Sequence, residues 1–456
     1  MATVLLAGST GSVSAALEGS AAGTVRDLDG NALPGICVVA FRADGLYRVD
    51  LTDSLGRYRL DLAPEPHRIG AIGCRNEKFG AVYYPYKFTW ETAGVIDVQA
   101  GQTNAVDFKL PRAAEVVGHV QDENGQVIPG GMWVDAIPSN VQLGICHGVI
   151  CSYDPLIFNA FTRVDDSGNY RLRGMTPGPF KIRFFPDLDG FAPQYAYNKY
   201  GFSQADVVPL HSQKNFLNQT LHQGGVVRGR ITGPMGQPAV GVRVQADYYD
   251  DLYGFARYTD ADGNYELVGL GTGDYDLSFD PDASTGPYAP EYYNNKTSRL
   301  NSDPFFIRTG AVRPVDVSLL PEARITGLVT DQAGHPLKEI CVWAIETAGS
   351  YVRQNIVSDA TGRFVAANLA AGLIDLFFFD CNDASPDYET KVIENVQTRA
   401  ATDTPIKVKL DLHRPGTSKQ AAAVAPPHRA TIEPGQTRGD FVPVPKPAWW
   451  ASIPDE

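Results

Sequence analysis

Apolar and polar residues alternate over short stretches throughout this chain. In Val242–Ala246, for example, Arg243 and Gln245 separate apolar residues that share one face. A period of two is typical of a β-strand with one face against a core. Comparable stretches recur at distant points of the sequence, namely Val106–Leu110, Val315–Leu319 and Ile406–Leu410. No stretch has the period of an amphipathic helix, so the pattern predicts an all-β protein.

A turn motif occurs four times between these stretches. Each copy has an Asp three residues before a Gly and an aromatic residue two positions after that Gly. The copies are Asp53–Tyr58, Asp165–Tyr170, Asp260–Tyr265 and Asp359–Phe364. The Asp side chain is expected to cap backbone N–H groups of a β-turn in which the Gly adopts positive φ. The aromatic residue then opens a strand whose alternate positions enter a core.

A second marker, a pair of glycines seven residues apart, precedes each turn motif. The pairs are Gly23 and Gly30, Gly118 and Gly125, Gly229 and Gly236, Gly327 and Gly334. Together the markers predict four domains, called here repeat one (19–113), repeat two (114–224, with a long loop insertion), repeat three (225–322) and repeat four (323–413). About seven short strands per repeat predict β-sandwiches in tandem, and the short joints between them predict a semi-rigid rod.

The two ends of the chain differ from the repeats. Residues 1–18 are predicted to be either a signal-peptide remnant or a disordered N-terminus, because small residues at Val13 and Ala15 resemble a cleavage site without a positive region before it. Residues 414–456 are rich in Pro and Ala and are predicted to be a disordered tail. In that tail Trp449–Trp450 is either a docking element or the edge of a truncated sequence.

Charge and hydropathy narrow the class of partner. The formal net charge is −13. No basic stripe is present that would neutralise phosphates, so we expect no nucleic-acid partner. No apolar run approaches the roughly 20 residues of a membrane-spanning helix, so we expect no membrane insertion.

The cysteines follow the repeats. Cys37 and Cys341 occupy the same position in repeats one and four, and so do Cys74 and Cys381. Because both positions lack cysteine in the other two repeats, the pattern predicts the disulfides Cys37–Cys74 and Cys341–Cys381. Cys146 and Cys151 lie in the long loop of repeat two, where a disulfide would close a small ring. The even count favours a secreted protein, with buried reduced cysteines as the alternative.

The order of these markers resembles the carboxypeptidase regulatory-like domain. The resemblance covers about residues 19–413 and is clearest over Gly229–Leu319. It implies a transthyretin-like (Ig-like) antiparallel β-sandwich, grouped with starch-binding-like folds and with repeats of bacterial surface adhesins. Such domains serve as spacers, adhesin stalks and glycan-binding accessories, so the resemblance is specific for fold and weak for function.

The sequence offers no catalytic constellation. None of the eight His residues has a Glu three positions later, and there is no G-x-S-x-G motif. Asp260–Asn264 looks like the start of a calcium loop, but the twelfth position is Gly271 instead of Glu, which favours a structural turn. We therefore expect no catalytic residue, no metal site and no cofactor.

Clustered tyrosines are the remaining candidates for binding. They are Tyr248, Tyr249, Tyr253 and Tyr258 before the hairpin of repeat three, and Tyr292 and Tyr293 after its later strand. Exposed rings stack on sugar faces, whereas a cluster that recurs between repeats is more often structural. The sequence thus predicts a secreted, monomeric, non-enzymatic rod that binds a glycan or a cell-surface protein. The alternative is a carbohydrate-binding accessory that accompanies a polysaccharide hydrolase such as an alpha-amylase.

Overall fold

The computed structural model describes residues 18–412, except for positions 43–46, 75–76, 89–91, 129–130, 140–142, 147–148, 153–159, 187–189, 250–253, 283, 299–300, 347–351 and 382–387. The predictions for residues 1–17 and for the tail fall outside this range. The described residues contain no α-helix, and β-sheets in pairs form four β-sandwiches, which confirms the predicted fold class.

Each repeat contributes strands in the same order. Repeat one contains β1 (Gly19–Asp27), β2 (Cys37–Phe41), β3 (Tyr47–Leu51), β4 (Arg57–Leu62), β5 (Pro66–Ile72), β6 (Val82–Tyr83), β7 (Val95–Asp97), β8 (Thr103–Ala105) and β9 (Phe108–Leu110). Repeat two contains β10 (Ala114–Asp122), β11 (Met132–Pro138), β12 (Leu143–Cys146), β13 (Val149–Ser152), β14 (Ala160–Arg163), β15 (Asn169–Met175), β16 (Gly178–Pro186), β17 (Gln194–Tyr195), β18 (Val208–Leu210), β19 (Lys214–Phe216) and β20 (Gln219–Leu221).

The last two repeats continue this order. Repeat three contains β21 (Gly225–Thr232), β22 (Arg243–Tyr248), β23 (Gly254–Tyr258), β24 (Asn264–Leu270), β25 (Gly273–Asp280), β26 (Glu291–Tyr292), β27 (Phe305–Ile307), β28 (Val312–Pro314) and β29 (Val317–Ser318). Repeat four contains β30 (Ala323–Thr330), β31 (Ile340–Glu346), β32 (Val352–Val357), β33 (Arg363–Leu369), β34 (Leu373–Asp380), β35 (Lys391–Gln397) and β36 (Asp403–Lys409).

Two sheets enclose the core of each repeat. In repeat three, β21 is the centre of the first sheet and pairs antiparallel with β24 and parallel with β28 and β29. The second sheet has the order β23-β22-β25-β26, with β27 also on β25. Side chains that alternate along each strand, such as Val244, Leu267 and Phe279, meet between the sheets and are excluded from solvent. Burial of this shared apolar face stabilises each sandwich.

The long insertion of repeat two is itself a hairpin. Strands β12 and β13 pair with each other, with Gly144 opposite Cys151 and Cys146 opposite Val149. The side chains of the two cysteines lie outside the described ones, so a disulfide between them stays a prediction.

Candidate functional site

The aspartate of the turn motif caps a turn in every repeat. In repeat three, Asp260 Oδ1 accepts hydrogen bonds from the N–H groups of Asp262 at 2.9 Å and Asn264 at 2.8 Å. These bonds, that from Asn264 foremost, lower the pKa of Asp260. Gly263 has φ of 80°, as the turn requires. The carboxylate that resembled a calcium ligand is therefore engaged by its own backbone.

The described acidic residues also form no metal site elsewhere. Within the part of the chain that the structure describes, no three His, Cys, Asp or Glu side chains are placed to hold one metal ion. Among the same residues, no helix has the length and apolar character needed to cross a membrane.

Two cysteine pairs are disulfide-bonded. The S–S distance is 2.00 Å for Cys37–Cys74 and 2.22 Å for Cys341–Cys381. Each bond joins the second strand of its repeat to the end of the strand beside it, so it links the two central strands of the second sheet near one of their ends. Disulfides of this kind are typical of extracytoplasmic proteins.

Two of the six candidate tyrosines are buried in repeat three. Tyr248 is 4% exposed, its ring centroid lies 4.8 Å from that of Tyr275, and its hydroxyl donates to Thr272 O at 3.0 Å. Tyr292 is 3% exposed. Since a sugar face can stack only on an accessible ring, these two side chains serve packing.

The other candidates that the structure describes do not form one platform. Tyr293 is half-buried and packs edge-to-face against Phe305 at 5.1 Å, while Tyr253 lies outside the described residues. Tyr249 is 54% exposed and Tyr258 is 44% exposed. They lie toward opposite ends of β22 and β23, because Tyr258 is opposite Arg243, six positions before Tyr249. At 3.3 Å per residue their backbone positions are about 20 Å apart along the strands.

Tyr258 borders an open groove of about 580 Å³ on repeat three. The groove is lined by both signs of charge and by amide and phenol groups, among them Arg228, Arg230, Arg257, Asn264, Glu266 and Asp316. Arg230 and Asp316 already take part in local bonds, since Arg230 donates to Asp262 O and Asp316 accepts from the Arg230 N–H. The groove therefore has polar groups, but several of them hold the sandwich itself.

The most regular feature of the molecule is the joint between successive repeats. In each repeat, the segment that follows the second central strand of the second sheet (β5, β16, β25 or β34) runs antiparallel to the linker that leaves the repeat. An isolated β-bridge marks the pairing each time, namely Phe79↔Arg112, Phe191↔Gln223, Tyr288↔Pro321 and Tyr388↔Leu412. The linker is thus fixed to the sandwich it leaves and is not a free tether.

The next repeat then docks a bulged hairpin against this paired segment. The first strands of repeats two, three and four each contain a register shift opposite their partner strand. The residue with positive φ at that point is Gly174, Gly269 or Asn368. Repeat one, which follows no other described repeat, pairs β1 with β4 without a shift. A β-bulge therefore accompanies every described joint.

The joint between repeats three and four is the most polar. Asn368 Nδ2 donates to Gly286 O at 2.8 Å and to Tyr288 O at 3.0 Å, and the Asn368 N–H donates to Glu322 Oε2. Asn368 is buried and has φ of 52°. Asn tolerates this left-handed conformation and adds the side-chain amide that Gly lacks. One residue thus forms the bulge and bonds to the preceding repeat.

The other two joints use different side chains at the same place. Between repeats one and two, Thr176 Oγ1 accepts from Ala81 N at 2.8 Å and donates to Ala81 O at 3.0 Å, both buried. Between repeats two and three the backbones themselves touch, because a Cβ on Gly224 would lie 2.3 Å from Gly269 Cα. Phe185 of repeat two also joins the apolar cluster of repeat three.

Sequence reasoning missed these joint residues. The available signal was a departure from the repeat: Asn368–Leu369 stands where repeat three has Gly269–Leu270. An Asn in place of a Gly preserves the backbone conformation, so the extra amide points to a contact made by that repeat alone.

The chain is thus a tandem array of β-sandwiches in which specific contacts join each repeat to the next. No protein-family model matches it, and no curated protein does. Among solved structures, it is similar to the Bacillus anthracis TIE protein (11% identity, 88% of this chain and 69% of that one, TM-score 0.20). It is also similar to a streptococcal ancillary pilin (13%, 66% and 99%, 0.23) and to GBS52, a minor pilin of Streptococcus agalactiae (13%, 45% and 96%, 0.24). Similarity at these TM-scores supports no functional argument.

Proposed function

We propose that this chain is a secreted, non-catalytic scaffold for adhesion or binding, built as a semi-rigid array of four carboxypeptidase regulatory-like domains. The proposed domains are residues 19–113, 114–224, 225–322 and 323–413. The main support is the joint, which pairs each linker with its own repeat and seats the next repeat on that pair. A protein that only had to connect independent modules would not need such contacts.

The extracellular location is supported by the two disulfides. The family assignment is supported by the turn motif and the glycine pairs, which recur in the order typical of that domain. The partner is proposed to be a glycan or a protein at a cell surface, since no described element suits nucleic acid.

The stiffness of the array is tested at Asn368. Asn368→Gly keeps the left-handed backbone but removes the side-chain bonds to Gly286 and Tyr288. With spin labels on Val312→Cys and Val365→Cys in the full chain, we expect a narrow distance distribution that broadens in Asn368→Gly. The control is Asn395→Gly, because Asn395 also has positive φ, at 58°, but is exposed and away from the joint.

A distance distribution that is already broad in the unaltered joint would refute the semi-rigid array. An equal broadening in Asn395→Gly would show that the change acts through the stability of repeat four and not through the joint.

The carbohydrate-binding alternative has one observation in its favour, the groove beside the exposed Tyr258. Its test is a glycan array with Tyr258→Ala and, as the matched control, Tyr249→Ala. Binding that is lost in the first variant and kept in the second would favour the accessory role. Absence of glycan binding by the unaltered chain would leave the scaffold role as the proposed function.

A further inference from the structure

Repeat four has an apolar outer face that the other repeats lack in accessible form. On the second sheet, alternate residues of β31 and β34 point away from the core. They include two cross-strand pairs, Trp343 opposite Phe377 and Cys341 opposite Phe379. Val392 of β35 lies opposite Phe377 and extends the first pair into a row of three. The rings of Trp343 and Phe379 meet edge-to-face at 4.9 Å. Val392 is 41% exposed, and Trp343, Phe377 and Phe379 are partly exposed.

Repeat one shows what covers such a face. Its equivalent residues Cys37, Val39 and Phe41 are buried in a separate cluster outside the main core. The cover comes from the segment between β5 and β7, which places Tyr83 and Ala93 on the sheet. The two repeats share the same disulfide position, so their outer faces are directly comparable.

Repeats two and three also cover this face. In repeat two, Tyr195, Phe202 and Ala205 cluster with the outward Ile137. In repeat three, Ser302 Oγ donates to the outward Asp276, which is buried. The covering segment in each case includes the connection between two short strands, which are β6 and β7 in repeat one, β17 and β18 in repeat two, and β26 and β27 in repeat three.

Among the described residues of repeat four, which exclude 382–387, no segment covers this face, and β34 pairs along most of its length with the single strand β35. The face is nevertheless apolar, like that of repeat one. A sheet face on which neighbouring apolar side chains stay partly exposed is a candidate binding surface.

We propose that the C-terminal segment Phe441–Trp450 of the same chain covers this face. The described residues end at Leu412, which is bridged to Tyr388 within repeat four, so the remaining 413–456 start on this repeat. The 29 residues from Leu412 to Phe441 span up to about 95 Å when extended, which is ample reach. Phe441, Trp449 and Trp450 are the aromatic residues of 413–456, and two of the five tryptophans of the chain are among them.

The chemistry of the segment fits the face. Phe441–Trp450 alternates apolar residues with Pro and contains a single charged residue, Lys446. Proline limits the freedom lost on docking, and Trp supplies a large apolar area. A covalently attached segment also has a high effective concentration at the surface.

The test uses the full chain with the photo-crosslinker p-benzoylphenylalanine in place of Trp449. We expect a product of monomer mass whose crosslink maps to the Trp343, Phe377 and Phe379 rows. Val392→Lys, which places a charge on the face, should abolish it. Val365→Lys is the matched control, because Val365 is also exposed on repeat four but lies on the first sheet.

A second measurement guards against perturbation by the crosslinker. The double variant Trp449→Ala/Trp450→Ala should bind more of the apolar dye ANS than the unaltered chain does, and a synthetic peptide of residues 440–456 should reverse the increase. A crosslinked product of dimer mass would overturn the proposal in favour of a second copy. Crosslinks that map to other repeats, or no crosslink at all, would overturn it as well.

Discussion

At the scale of single residues, the same hydrogen bond from a tyrosine hydroxyl to a backbone carbonyl occurs in three sandwiches. Tyr58, Tyr170 and Tyr265 donate to the carbonyls of Val106, Leu217 and Val315 at 2.7, 2.6 and 2.8 Å, all in buried surroundings. The sequence predicted the aromatic residue as a core side chain but not this bond. The acceptor is about 50 positions away in sequence, so only the folded sheet brings the two groups together.

Tyr265→Phe is expected to destabilise repeat three by about 1–2 kcal/mol, because the buried Val315 carbonyl loses its donor. The measurement is urea unfolding followed through amide exchange in β21 and β24. Tyr258→Phe is the control, since Tyr258 is exposed where Tyr265 is buried. Equal stability of Tyr265→Phe and the unaltered chain would mean that water or another donor satisfies the carbonyl.

Glu346 is a second residue whose behaviour depends on its environment. Its side chain is buried at the end of β31, and neither carboxylate oxygen has a hydrogen-bond partner among the described residues. Burial raises the pKa of Glu346 to about 7. Below pH 4.5 the carboxyl is neutral in the folded and unfolded states alike, and as pH rises through 7 the folded state must ionise a buried group.

Repeat four should therefore lose about 2–3 kcal/mol of stability between pH 5 and pH 8, and Glu346→Gln should abolish this loss. Thermal unfolding of both chains at the two pH values measures the difference. The exposed Glu394→Gln of the same repeat serves as the control. If Glu346→Gln retains the full pH dependence, another group is responsible.

At the scale of elements, the glycine pair has two different physical causes. The second member, such as Gly236 with φ of 79°, is a turn residue with open space around it. The first member is an ordinary strand residue in contact with the last strand: a Cβ on Gly229 would lie 1.8 Å from Val315 O. The same carbonyl accepts the Tyr265 hydroxyl, so the two residues form one contact.

Gly229→Ala should therefore destabilise repeat three by about 3 kcal/mol, because the last strand has to move away from β21. Gly236→Ala should cost only about 1 kcal/mol, from the positive φ alone. Equilibrium unfolding of the two variants gives the comparison. Equal costs would show that the last strand adapts freely.

Repeat four keeps the glycine pair but lacks both the tyrosine and the interruption of the last strand. Phe364 takes the place of the tyrosine and has no hydroxyl. The last strand is then continuous, and β36 pairs in parallel with β30 from Arg324 to Thr330. In repeat three the corresponding strand is interrupted at Asp316, whose side chain accepts from Arg230 N at 2.8 Å. The tyrosine and the interrupted strand therefore occur together.

At the scale of the whole molecule, the disulfides divide the repeats into two kinds. They close loops with sequence separations of 37 and 40 in repeats one and four. On the chain-entropy model a loop of this length stabilises a domain by roughly 3–4 kcal/mol. Repeat three contains no cysteine and depends on its core alone.

Reduction of the protein should lower the stability of repeats one and four by roughly this amount while repeat three is unchanged. Amide exchange of β2, β31 and β22, measured with and without dithiothreitol, compares the three repeats in one sample. A uniform loss across repeat three would show that the joints couple the repeats into one cooperative unit.

The sequence by itself determined the strand content, the capped turns and the two described disulfide pairs. All of these depend on local chemistry or on repetition that is visible along the chain. The tertiary structure decided which tyrosines are accessible, since Tyr248 and Tyr249 are neighbours but only one faces solvent. It also decided the joints, in which Asn368 meets Gly286 more than 80 positions away. Contacts between distant segments depend on how the sheets stack, and alternation along a strand does not specify that.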